Sequence, residues 1–120
     1  MKFDLGVHHV SLNVDDLDAC LSFYVDTLGL TPIERPDLGF PGAWLAFGPQ
    51  ELHLLQVEDH QAPDGQHFAF RVTDLDATLA ALDAAGVKAT PPFEIPGVCR
   101  QAFLKDPAGN LLELNEPKSR

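Results

Sequence analysis

Apolar positions in this chain follow two rhythms in succession, and the succession is written twice. From His9 the residues alternate, with Val10, Leu12 and Val14 on one side and His9, Ser11 and Asn13 on the other. Successive side chains of a strand point to opposite faces, so this alternation predicts a strand with one buried face. At Leu17 the period lengthens, and Leu17, Leu21, Tyr24 and Leu28 form the apolar stripe of an amphipathic helix. Asp15 or Asp16 is suited to cap its first-turn amides, and Gly29 to end it in a left-handed turn. Three short strands are predicted next, at about 31–35, 43–48 and 51–57. The Pro/Gly-rich loop RPDLGFPG precedes the second of them, and GPQ makes the last turn.

The whole pattern returns at His67. Phe68, Phe70 and Val72 take the apolar side, and His67, Ala69 and Arg71 the polar side. A helix with Leu75, Leu79 and Leu82 follows, capped by Thr73 or Asp74 and ended at Gly86. Strands are then predicted at about 87–90, 98–106 and 110–116, with TPPFEIPG as the long loop and DPAG as the turn. One offset of 58 pairs His9 with His67, Val14 with Val72, Asp16 with Asp74, Leu17 with Leu75, Asp18 with Asp76 and Leu21 with Leu79. The second helix is one residue shorter. The chain therefore reads as an α+β fold of two tandem βαβββ modules, about 7–57 and 67–116, joined by the polar linker 58–66 within a single domain, 1–120. Neither module is large enough to cover its own sheet face, so two must pair, within one chain or between chains.

Composition narrows the partners. Eighteen acidic against eight basic residues leave a net charge of −10, which argues against nucleic acid or an anionic membrane surface. An anionic small molecule stays possible, because a local metal ion or arginine overrides the global field. There is no apolar run near membrane-spanning length and no charged start with an apolar segment after it, so a cytoplasmic location is expected. Cys20 and Cys99 are too few and too isolated for a disulfide framework or a CxxC site, and read as buried reduced thiols.

Candidate chemistry lies on the polar faces. Aligning the last strands, FGPQELHLL over DPAGNLLEL, sets His53 against Glu113. Each module thus supplies one metal-type side chain from its first strand and one from its fourth: His9 and His53, then His67 and Glu113. Three imidazoles and one carboxylate suit Zn, Ni, Fe, Mn or Co better than Ca or Mg. His8 falls on the apolar side and has no counterpart, so it reads as a packing or strand-end residue. His60, in the linker, reads as exposed. Arg71 shares a face with His67, where it either holds a substrate carboxylate or phosphate or pairs with an acidic side chain. Ser11 and Asn13 are candidate polar lining. Phe40, Trp44 and Phe93 either line an apolar entrance or pack in the core. Asp106 and Asn110 are expected to close a turn through local backbone hydrogen bonds.

On HHVSLNVDDLDACLSFYVDTLGL, LHLL, QHFAFRVTDLD and FLKDPAGNLLEL, covering residues 7–116, the chain resembles the vicinal oxygen chelate superfamily. That superfamily includes glyoxalase I, fosfomycin-resistance proteins, methylmalonyl-CoA epimerase, extradiol dioxygenases and metal-free bleomycin-resistance proteins. The resemblance implies that the two curved mixed sheets form a barrel-like cavity for metal and substrate. It implies one divalent transition metal on His9, His53, His67 and Glu113, and a homodimer acting on a small molecule. Four ligands resemble the glyoxalase and epimerase branches, whose isomerase or lyase chemistry runs through a metal-stabilised enediolate or enolate, with Glu113 as the candidate base. The chain departs from typical glyoxalase I in carrying His53 where a Glu stands, and bacterial members have a glutathione-binding arginine near Asn13 that is missing here. The resemblance thus carries the chemistry and leaves the substrate open. An Fe(II) dioxygenase and a non-catalytic drug- or metabolite-binding protein are the alternatives it also implies.

Overall fold

The alternation beginning at His9 becomes strand β1 (His9–Val14), and the helical stripe becomes α1 (Leu17–Leu21), which continues as a π-helical stretch, Ser22–Thr27. Strands β2 (Thr31–Ile33), β3 (Gly42–Phe47) and β4 (Gln50–Gln56) complete the first module of this computed structural model, which describes residues 1–118. The second module repeats the order with β5 (His67–Arg71), α2 (Leu75–Ala84), β6 (Phe93–Ile95), β7 (Cys99–Lys105) and β8 (Leu111–Pro117). The chain divides into two compact units between Gln61 and Ala62. Among the described residues no helix is long and apolar enough to cross a membrane.

Each unit is a four-stranded mixed sheet with the order first, fourth, third, second strand: β1-β4-β3-β2 and β5-β8-β7-β6. The first and fourth strands run parallel and the other pairs antiparallel. Register repeats as well as order, since His9 lies opposite Glu51 and His67 opposite Leu111, the equivalent place. The α+β class and the duplicated βαβββ plan are therefore as the hydrophobic pattern predicts.

One face of each sheet is the core. In the first unit Val14, Leu45, Leu52 and Leu54 are fully buried together with Cys20 and Tyr24 from the helix. In the second, Leu75, Leu82, Ala102, Leu104, Leu112 and Leu114 play the same part. Burying one such leucine contributes about 1.5–3 kcal/mol, enough to fix strand register wherever a slip by one residue would expose it. Both cysteines are buried, as expected, and neither forms a disulfide among the described residues.

Helix starts are fixed by two devices in parallel. Asp16 accepts from the Ala19 amide and Asp74 from the Ala77 amide, both at 3.0 Å. The Leu17 amide donates to Gln56 Oε1 at 3.1 Å, and the Leu75 amide to Glu116 Oε2 at 3.0 Å. The end of the fourth strand thereby satisfies a first-turn donor that the helix itself leaves unpaired.

The extra residue of the first helix is absorbed by its π-helical stretch. At the end of α2 the Val87 amide donates to Leu82 O at 2.9 Å; at the equivalent place the Leu30 amide donates to Tyr24 O at 2.9 Å, across one residue more. Tyr24 and Leu82 are both buried. The π turn widens the helix by the inserted residue, so the buried positions on either side of it stay matched.

The predicted strand at 87–90 is not one. Only an isolated bridge from Ala89 to Leu104 forms there, and the edge strand is β6, inside the stretch read as a loop. Pro91 and Pro92 explain the shift. The Thr90 amide reaches Phe103 O at 2.8 Å, but the two prolines bring no amide hydrogen, so pairing lapses and resumes at Phe93. Gly42 shows the converse constraint in β3: a Cβ there would stand 2.5 Å from Leu54 O, so only glycine lets these backbones approach.

Candidate functional site

The face of each sheet opposite the core carries the candidate chemistry. In the first unit β1 brings His9, Ser11 and Asn13 to that face, β4 brings Glu51 and His53, and β3 brings Trp44. Ser11 and Trp44 are the register partners of His53 on either side. The His53 ring lies between two others: His9 stacks on it with centroids 4.1 Å apart and planes 14° apart, and Trp44 at 4.4 Å and 9°. His53 is buried, and its Nε2–H donates to Glu51 Oε1 at 2.9 Å. Trp44 is therefore part of this site. Phe40, by contrast, is exposed and lies 4.8 Å from the Arg35 guanidinium in a cation–π contact, whereas Phe93, exposed on the edge strand, stacks on Phe103 with centroids 6.2 Å apart.

The second unit fills the same frame differently. β5 presents His67, Ala69 and Arg71, β8 presents Glu113 and Asn115, and β7 presents Phe103, the register partner of Glu113. His67 Nδ1–H donates to Gly65 O at 2.8 Å, and its Nε2 lies 3.0 Å from Glu113 Oε1. Asn115 Nδ2 donates to Glu113 Oε2 at 2.7 Å, so both carboxylate oxygens are held. Phe103 meets the His67 ring edge to face at 5.2 Å. The Gly65 carbonyl can only accept, so Nδ1 of His67 carries a proton and Nε2 turns its lone pair toward a carboxylate. One shared proton bridges them, and once it leaves, two donor atoms face the same place. Fixing one imidazole nitrogen on a backbone carbonyl while the other faces outward is the usual preparation of a metal-binding histidine.

The four predicted ligands thus occur as two pairs, His9 with His53 and His67 with Glu113. Among the described residues no group of three or more His, Cys, Asp or Glu side chains is gathered closely enough to hold a metal ion. Of the predicted lining, Ser11 and Asn13 are exposed on the ligand face of β1, and Arg71 is exposed at the end of β5 opposite Asn115. Asp106 and Asn110 close their turn as expected. Asp106 Oδ1 accepts from the amides of Ala108 and Asn110, each at 2.9 Å, and Oδ2 accepts from the Asn110 side chain at 3.0 Å.

His8 takes the strand-end place, one of the two expected of it: it stands exposed just before β1, and its Nδ1 lies 2.9 Å from Nδ1 of His9. Alternation separates neighbours only inside a strand, and β1 begins at His9, so His8 stands where the rule has not yet taken hold. Glu51 was not among the predicted site residues. The period-two pattern of QELHLL already puts it on the face of His53, but it has no polar counterpart in the second module, where Leu111 stands. The His53 hydrogen bond holds the Glu51 carboxyl below its ordinary value against some desolvation, with the His8, His53 and His9 imidazoles adding in the same direction.

A duplicated βαβββ frame with histidine and carboxylate side chains on matched strands defines a class, and comparison with known proteins places the chain in it. Residues 6–114 match the Glyoxalase/Bleomycin resistance protein/Dioxygenase superfamily, and the chain belongs to that superfamily. It is 32% identical over 130 residues to the lactoylglutathione lyase of Haemophilus influenzae, covering 96% of this chain and 95% of that protein. The glyoxalase family protein of Enterococcus faecalis superimposes with a TM-score of 0.82 at 28% identity, over 96% of this chain and 100% of that one. TnmS3, an antibiotic binding protein from Streptomyces sp. CB03234, does so with a TM-score of 0.83 at 28% identity, over 98% and 100%.

Proposed function

We propose that this chain is a metal-dependent lyase or isomerase of the glyoxalase type, working as a homodimer on a small substrate with two adjacent oxygens. His9, His53, His67 and Glu113 hold one divalent transition ion per site, drawn from Zn, Ni, Fe, Mn and Co. The observation that carries this reading is the His67–Glu113 pair. With Nδ1 committed to Gly65 O at 2.8 Å, Nε2 and the carboxylate 3.0 Å away are two donors aimed at one place, and their chemistry suits such an ion. When bound, the ion supplies Lewis-acid stabilisation of negative charge developing on the substrate oxygens.

The remaining work falls to the protein. Glu113 is the proton acceptor: Asn115 holds Oε2 at 2.7 Å, and Oε1, 3.0 Å from His67 Nε2, is the oxygen that exchanges a proton. Arg71, on the same face, orients a carboxylate or phosphate of the substrate, with Ser11 and Asn13 as polar lining. The likeness to the Haemophilus influenzae enzyme supports a lyase. The test is elemental analysis of protein purified without chelators, together with an assay of metal-dependent lactoylglutathione formation. Stoichiometric transition metal in the wild type and its loss in His67→Ala are expected; absence of any reconstitutable metal overturns the reading.

A second reading, ligand capture without turnover, draws on the likeness to TnmS3 and on the Trp44–His53–His9 stack, which offers an aromatic surface for a planar compound. Trp44 is the single tryptophan, so its fluorescence reports such binding directly. Tight quenching by an aromatic antibiotic in metal-free protein, without product, selects this reading over the first.

A further inference from the structure

We propose that Glu51 is a positioning residue that locks His53 in its Nε2–H tautomer, so that His53 offers Nδ1 to the metal while His67 offers Nε2. The part concerning the metal rests on the function proposed above; the tautomer does not. A carboxylate only accepts, so the 2.9 Å contact between Glu51 Oε1 and His53 Nε2 places the proton on Nε2. A neutral imidazole has one N–H, which leaves the lone pair on Nδ1. The His53 side chain is 11% exposed and lies between the nearly parallel rings of His9 and Trp44. A half-turn about Cβ–Cγ keeps the ring in that gap but puts Cε1 where Nε2 stood, so it would lose the Glu51 hydrogen bond that selects this orientation.

Glu51 and His53 are two residues apart on β4, so the same face carries both, and Glu51 is also the register partner of His9. Nothing equivalent exists in the second module. Leu111 occupies that place, and His67 is oriented from its other nitrogen by the Gly65 carbonyl. The two modules thus orient their histidines through different nitrogens, Nε2 of His53 on a carboxylate and Nδ1 of His67 on a backbone carbonyl. Outer partners of this kind orient a metal-binding histidine and raise its basicity, and losing one typically costs 10–100-fold in metal affinity, roughly. Glutamine at this position keeps an acceptor oxygen, whereas leucine removes it.

The test is long-range ¹H–¹⁵N correlation of the histidine rings in ¹⁵N-labelled protein, first metal-free and then with zinc, with His53 signals assigned from His53→Gln. Metal-free wild type should show His53 protonated at Nε2; Glu51→Leu should show mixed tautomers, and Glu51→Gln should restore the wild-type pattern. On zinc addition the resonances of His53 Nδ1 and His67 Nε2 should shift, and zinc affinity should fall about 10–100-fold in Glu51→Leu and less in Glu51→Gln. A proton on His53 Nδ1 in the metal-free protein, or a Glu51→Leu spectrum unchanged at His53, overturns the proposal. Zinc bound through His53 Nε2 overturns it while leaving the metal reading intact. Failure to bind zinc at all overturns the metal reading, while the metal-free spectra still decide the role of Glu51.

Discussion

In the first module the first and fourth strands meet in stacked rings, His9 on His53, with Trp44 of the third strand on the other side; in the second the same strands meet in a hydrogen-bonded pair, His67 and Glu113, with Phe103 alongside. The frame beneath is nearly identical. Register, helix caps and the strand-end side chain that reaches the helix all recur at matched positions. Duplication has preserved what holds the sheet to the helix and let the opposite face diverge. The core face is constrained by packing at every residue. The ligand face is constrained only where a side chain has a task.

The comparison predicts equal costs where the modules match and unequal ones where they differ. The largest effect belongs to the matched core pair Leu52 and Leu112, both fully buried. Leu52→Ala and Leu112→Ala should each cost about 2–5 kcal/mol in denaturant unfolding. A loss confined to one module would break the equivalence of the two cores. Gly42→Ala comes next, because the new Cβ would meet Leu54 O at 2.5 Å. About 1–3 kcal/mol is expected from such overpacking, whereas Gln101→Ala, near the equivalent position in β7, should cost less. The caps are smaller still. Asp16→Ala and Asp74→Ala should each lose about 1 kcal/mol, and the double variant should lose the sum.

The smallest effect lies in a pair that only the second module has. Arg100 donates to both carboxylate oxygens of Asp76, at 2.9 and 3.1 Å, and its hydrogen bonds hold that carboxyl below its ordinary value against some desolvation. A depressed carboxyl contributes stability that is complete above its unfolded-state value of 3.8 and is lost as pH falls through the lower folded value. Asp76→Asn should therefore flatten the acid limb of the stability curve slightly and leave neutral pH almost unchanged. The equivalent Asp18→Asn should leave both alone. An equal acid effect in both variants would assign it to the helix termini instead.

Much of this was legible before any coordinates. Strict alternation around Val10 to Val14 and Phe68 to Phe70 fixed both faces of the first strands, because burial of one face leaves a period-two trace. The caps are legible to within one residue, Asp15 or Asp16 and Thr73 or Asp74, since a cap depends on one side chain and its own next turn; the structure takes Asp16 and Asp74. Less legible were features set by partners distant in sequence. The π stretch appears in the sequence only as one surplus residue, and β6 was displaced by what the paired prolines do to strand β7's partner. Glu51 is readable from its period-two spacing to His53, but repetition does not mark it, since Leu111 stands at the equivalent place. Repetition marks what two modules share and leaves unmarked what one has alone.

The proposed function rests on His53 and His67 both being metal ligands. The most direct test is the cobalt or zinc content of chelator-free protein, measured in parallel for wild type, His53→Ala and His67→Ala. The account predicts one ion per chain in the wild type and a loss of affinity exceeding about 100-fold from either substitution, beyond what loss of an outer partner produces. Stoichiometric metal that survives substitution in either module would contradict it.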